Sequence, residues 1–229
     1  MGLPNGLHHI AISVADIKGQ IEFFTQVCGM EMTALYWMHG VDKTFHCFLK
    51  MNDTCSIALV HNEDIPKIEP VSGVSYPSGW TGDNTAPGTM QHLALNVDTD
   101  EELFAMRDRL RANGYWVYGP LDHGMFKSIY FKGLENLMLE FASSEGRDTV
   151  PEMWIDPEVV ELIGISPEEL KNYKAPPSFV SQGGAIQNPE VDLKDPPMVF
   201  ANNDLKVYGM TDEEVTSQMS EPTPPVPRQ

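Results

Sequence analysis

Two stretches of this chain alternate bulky apolar residues with small or polar ones at the period of a β-strand. They are His9-Ile-Ala-Ile-Ser-Val, residues 9–14, and His92-Leu-Ala-Leu-Asn-Val, residues 92–97. Each leads into a segment of helical period. The first, about 16–27, places Ile17, Ile21 and Phe24 on one face; the second, about 100–112, does the same with Leu103, Met106 and Leu110. Both run out at a glycine, Gly29 and Gly114, the residue that most easily takes the left-handed turn closing a helix. Strand-length runs follow, roughly 31–38, 44–51 and 55–61 in the first half and 115–119, 126–132 and 137–142 in the second. The segment FLKMNDTCSIALV (48–60) superposes on YFKGLENLMLEFA (130–142). The pattern predicts a βαβββ unit present twice, over 7–61 and 90–142, joined by a linker at 62–89 that is rich in Pro, Gly and Ser. A linker of that length in a compact domain is expected to carry function.

Past Ser144 the periodicity fades. Residues 146–229 hold 12 of the 18 prolines, and 15 acids against 6 bases. Short helices are expected at 156–163, at 167–173 behind Ser166 and Pro167, and at 212–219 behind Thr211 with Glu214 closing a capping box. The expected organisation is one α+β domain over 1–145, followed by an irregular, acidic, Pro-rich extension over 146–229 that lies on the core or on a partner subunit.

Strand parity sorts the side chains. In the first strand Ile10, Ile12 and Val14 must pack under the helices with His8, which leaves His9, Ala11 and Ser13 on the opposite face. In the repeat, His92, Ala94 and Asn96 share that small-residue face. In the last strand Leu137, Leu139 and Phe141 pack inward, so Met138, Glu140 and Ala142 join the histidines. A carboxylate inside the apolar run LMLEFA needs a cation or a proton, because burying it unpaired costs several kcal/mol. An ion pair with Lys50 or Lys132 is one solution. The other is a divalent metal held by His9, His92 and Glu140 with positions left open. Residues expected to line the same face are Phe48, Met138 and His46.

Composition narrows the partners. A net charge of −18 repels phosphate, which argues against nucleic acid and against an anionic membrane surface. No apolar run approaches the roughly 20 residues of a membrane span, and MGLPNGLHH lacks the regions of a signal peptide. Three cysteines without a CxxC pair are expected as free thiols. Together these give the expectation of a soluble cytoplasmic protein.

The residues HHIAISV, QHLALNV and LMLEF, at this spacing, resemble the vicinal oxygen chelate superfamily, which includes glyoxalases, fosfomycin-resistance proteins, epimerases and type I extradiol dioxygenases. The resemblance covers 7–142. It implies paired βαβββ modules forming a cup-shaped mixed sheet, with metal ligands drawn from the first and last strand of each module. Carried over, those positions are His9, Ala58, His92 and Glu140. Alanine at 58 cannot coordinate, and the remaining two histidines and one glutamate match the extradiol dioxygenases and fosfomycin-modifying enzymes. The dioxygenase signature continues as His123, Tyr130 and Glu140, which implies catalytic roles for His123 and Tyr130.

Two departures stand out. The dioxygenases carry Asp-Pro-x-Gly between that Tyr and Glu, where this chain has Gly133-Leu-Glu-Asn136. No histidine lies between 62 and 91, where they place an acid–base residue; His46 or His61 is the substitute within reach. The resemblance thus implies a metal-dependent enzyme, with Fe(II) and ring cleavage of a small aromatic diol preferred. A lyase, isomerase or thiol transferase using Mn(II), Ni(II) or Zn(II), and a metal-free binding protein of the bleomycin-resistance kind, are the alternatives. Homo-oligomers, often dimers, are common among such modules.

Overall fold

The computed structural model describes residues 4–180, 183–200 and 204–227. Strand β1, His9–Ser13, gives way to helix α1, Ile17–Glu22, where the Asp16 carboxylate accepts the Gly19 N–H at 2.9 Å and so caps the first turn. The helix then widens into a π-turn over Phe23–Val27, in which the Cys28 N–H reaches back to the Phe23 carbonyl at 3.1 Å. Strands β2 (Glu31–Trp37), β3 (Phe45–Lys50) and β4 (Ser56–His61) complete the first unit. The second unit repeats the order: β5 Leu93–Asn96, α2 Asp100–Ala112, β6 Val117–Asp122, β7 Lys127–Lys132 and β8 Met138–Ser143. Thr99 and Glu102 form a full capping box on α2.

Each unit makes its own four-stranded sheet, ordered β1-β4-β3-β2 and β5-β8-β7-β6. The helix returns each chain so that β1 pairs parallel with β4, and β5 with β8; the remaining pairs are antiparallel. This is the α+β arrangement of paired βαβββ modules that the repeat predicts. The two sheets stay separate and are not closed into one.

The bulky faces pack where parity puts them. Ile57, Leu59 and Leu49 of the first sheet, Ile129 and Leu139 of the second, and Leu103 and Leu110 of α2 are fully buried in one continuous core. Phe23 joins the halves: its ring lies 5.2 Å from Tyr115 and 6.4 Å from Phe131. The Glu135 carboxylate, in the turn before β8, adds a polar tie by accepting the Ala15 and Asp16 N–H groups at 2.9 and 2.7 Å.

The later segment forms α3 (Pro151–Trp154), α4 (Pro157–Leu162), α5 (Pro167–Lys174) and α6 (Asp212–Met219). Its first residues are clamped to the second unit. Arg147 pairs with Asp100 at 3.3 Å and with Asp122 at 3.1 Å, and Trp154 lies over Gly124, where a Cβ would come within 2.7 Å of the indole. Gly124 also has φ +83°, so both the turn and the close approach call for glycine. Among the described residues no helix is long and apolar enough to cross a membrane.

Candidate functional site

Register builds the site. Ala94, Glu140, Tyr130 and Tyr118 are successive cross-strand partners, so they form one row across the small-residue face of the second sheet. Glu140, only 2% exposed, uses both of its oxygens. The Ser128 hydroxyl donates to Oε1, and His92 Nε2 lies 3.0 Å from Oε2. Neither lysine considered from the sequence is its partner: Lys50 pairs with Asp53 at 2.6 Å, and the Lys132 ammonium sits 5.8 Å over the Tyr76 ring. His92, just ahead of β5, is steered from its other side by Gln91, whose Oε1 is 2.9 Å from Nδ1.

Tyr130 stands beside this pair, with its ring 6.2 Å from that of His92. Its Oη is 3.0 Å from Nε2 of His123, which comes from the turn between β6 and β7. Burial pushes the phenol above the usual tyrosine range; the nearby Glu140 charge adds to this, and a hydrogen bond with Ser128 opposes it. Tyr130 is therefore a protonated donor at neutral pH. The structure brings His92, Glu140, Tyr130 and His123 into one neighbourhood, with Met138 on the same face two residues before Glu140.

The first sheet holds the rest of the expected set. His9 is exposed, its Nδ1 is 2.8 Å from Nδ1 of His8, and its ring meets Phe48 edge-on at 5.5 Å. Phe48 is the cross-strand partner of Ala58, just as Tyr130 is of Glu140, so a phenyl ring stands opposite the repeat equivalent of Glu140. His46 is 9% exposed; burial, and then the neighbouring His9, lower its pKa below the ordinary imidazole value. Tyr36 Oη lies 3.4 Å from its Nδ1, and its Nε2 has no hydrogen-bond partner among the described residues. His61 is committed elsewhere, with its Nδ1 2.9 Å from the Val14 carbonyl.

The fit to a metal is thus partial within one chain. Nitrogen at 92 and oxygen at 140 are adjacent, a donor pair suited to a divalent ion. His9 is not grouped with them. Among the described residues no three His, Cys, Asp or Glu side chains are arranged to hold a metal.

Four neighbours of the site were not singled out from the sequence: Ser128, Gln91, Trp80 and Trp116. Ser128 was readable, since it shares parity with Tyr130 in a strand already assigned. Trp80 was not; it lies in the non-periodic linker, and nothing in its spacing ties it to the sheet it meets.

A family model described as the Glyoxalase/Bleomycin resistance protein/Dioxygenase superfamily matches residues 6–141. Comparison with curated proteins returns no match. Solved structures to which this chain is similar include a glyoxylase/bleomycin resistance protein/dioxygenase domain from Frankia sp. EAN1pec. It is 15% identical and covers 62% of this chain and 99% of its own, with a TM-score of 0.48. A fosfomycin resistance protein from Listeria monocytogenes is 18% identical over 66% of this chain and 98% of its own, with a TM-score of 0.42. The trypanothione-dependent glyoxalase I of Leishmania major is 16% identical over 71% of this chain and 100% of its own, with a TM-score of 0.43.

Proposed function

The chain belongs to the Glyoxalase/Bleomycin resistance protein/Dioxygenase superfamily, and from that premise we propose that it is a metal-dependent enzyme that cleaves the ring of a small aromatic diol. The observation that carries this reading is Glu140, a nearly fully buried carboxylate flanked by His92 on the face that also bears Tyr130. In this proposal residues 1–145 are the catalytic unit, the protein is cytoplasmic, and Fe(II) is the preferred ion.

His92 and Glu140 would hold the metal from the second module, and His9 would complete the set from the first module of a second copy. Each chain leaves His9 on one sheet and the His92–Glu140 pair on the other, and the two sheets are not closed into one. The 3.0 Å between His92 Nε2 and Glu140 Oε2 sets the two donor atoms side by side, where one ion could meet both. When bound, the ion would acidify a diol and bring it together with O₂.

The chain's own groups do the remaining work. Tyr130, held protonated by burial, donates its Oη–H to a substrate oxygen. His123, 3.0 Å behind it, can renew that proton from solvent, to which its ring is open. Ser128 fixes the Glu140 carboxylate so that Oε2 faces outward toward His92. Phe48 and Met138 supply apolar surface, and His46 is a neutral imidazole available as a base.

The test is oxygen uptake by anaerobically iron-loaded protein with a panel of catechols, with a yellow ring-fission product as the expected result and its loss in His92→Ala. No uptake across the panel removes ring cleavage. Turnover with Mn(II), Ni(II) or Zn(II) that ignores oxygen would move the assignment to a lyase, isomerase or thiol transferase. A second reading, metal-free small-molecule binding, is favoured by the incomplete donor set of the single chain. It predicts purified protein without metal and a melting temperature unmoved by added metal.

A further inference from the structure

The linker that joins the modules does not pass idly over the second sheet. It folds a turn in which the Asp83 N–H donates to the Trp80 carbonyl at 3.0 Å and the Asp83 carboxylate accepts the Trp80 N–H at 3.2 Å. The Trp80 indole lies over Gly82, where a Cβ would stand 2.4 Å from the ring. The ring is therefore placed by its own loop. Opposite it, at the outer edge of the sheet, Trp116 and Tyr118 stack almost parallel, 6.2 Å apart at 6°. Trp80 meets Tyr118 edge-on at 6.4 Å and 88°. These rings, with Tyr130 and Met138, enclose a cavity of about 370 Å³, within the range of small-molecule sites. Trp80 and Trp116 are nonetheless 53% and 78% exposed. Exposed indoles gathered around a concavity mark a binding surface.

One charge stands at the opening. Lys132 lines the cavity, and among the described residues no carboxylate lies within ion-pairing distance of it. In a chain of net charge −18 an unmatched ammonium at a pocket mouth discriminates between ligands.

We propose that Trp80, Trp116 and Tyr118 form a slot for a planar aromatic ring system, and that Lys132 selects ligands bearing an acidic substituent. Tyr130 lines the slot and its ring lies 6.2 Å from that of His92, so in this proposal the far end of a seated ligand lies next to the His92–Glu140 pair. The inference deepens the reading above by naming the ligand class, and rests on that reading only for the role of the far end.

The test is calorimetric titration of the full chain, stripped of metal with EDTA, using 2-naphthoate, its saturated decahydro analogue and 2-naphthol. The expected results are binding of 2-naphthoate, about ten-fold weaker binding of the saturated analogue, and a similar loss in Trp80→Ala and in Trp116→Ala, the scale of one lost ring contact. Lys132→Met should weaken 2-naphthoate and leave 2-naphthol unchanged. Both indoles are exposed, so unaltered circular dichroism in the variants separates lost binding from lost fold. Equal binding of the saturated analogue, or wild-type binding by both tryptophan variants, overturns the proposal. So does sedimentation showing that Trp116→Ala dissociates a dimer that does not bind 2-naphthoate, since the slot would then be filled by a second copy. Because no metal is present, binding that persists in a protein without ring-cleaving activity removes ring cleavage and leaves the slot standing.

Discussion

A carboxylate survives in the middle of Leu137–Phe141 because two neighbours take its oxygens, and the stronger constraint is Ser128, itself fully buried. Ser128→Ala leaves Oε1 desolvated without its donor, so a loss of about 1–3 kcal/mol is expected in urea unfolding at pH 7. The double change Ser128→Ala with Glu140→Leu should recover much of it; if the single variant unfolds like wild type, the contact carries little energy. The thiols obey the same logic of burial. Burial pushes Cys28 up to about 12 and Cys47 up to about 11. Native protein at pH 8 should therefore leave both unmodified by iodoacetamide, with peptide mapping finding label only at Cys55, and all three should react in urea. Since the folded values lie above the ordinary thiol value of 9.0, this contribution to stability is complete below pH 9 and drains away as pH rises toward 12. At this scale the sequence spoke through parity: it set His92, Tyr130 and Glu140 on one face. It was silent on Trp80, because a loop side chain obeys no period.

Among the elements, the ones legible in advance were those whose local signals agreed. Helix α6 falls on 212–219 as its capping box announces, and α5 follows Ser166 and Pro167. Strand β6 spans Val117–Asp122 instead of the expected 115–119 and runs through Gly119 and Pro120. They are tolerated here at a bulge in an edge strand, between Tyr118 and Leu121, where a missing N–H breaks no ladder. The π-turn over Phe23–Val27 was read as plain helix, since a single inserted residue hardly alters an apolar spacing. That turn has energetic weight. Phe23 is 2% exposed and touches aromatic rings of the other module, so Phe23→Ala should cost about 3–5 kcal/mol in urea unfolding. Ile21→Ala, on the partly exposed side of α1, should cost less; equal losses would mean that the ring does not join the halves.

For the whole molecule, duplication explains both what the sequence revealed and what it left open. A repeat places His9 and His92 at equivalent positions, but equivalence within a chain does not say whether the two faces meet in that chain or across a pair of chains. One chain groups two donors and leaves the third on a separate sheet. If the set closes between copies, a dimer has two sites, each taking His9 from one chain and His92 with Glu140 from the other. His9→Ala and His92→Ala homodimers should then each bind little Mn(II) in equilibrium dialysis. When the two are unfolded and refolded together in equal amounts, half of the dimers are hybrids. Each hybrid keeps one intact site of two, so binding should return to about a quarter of the wild-type level. Both histidines lie outside the buried core, and because His92→Ala also removes a partner of Glu140, circular dichroism of each homodimer checks that it is folded before binding is compared. If a chain instead held the ion with its own three donors, no mixture would bind more than its components, because every chain would still carry its own defect.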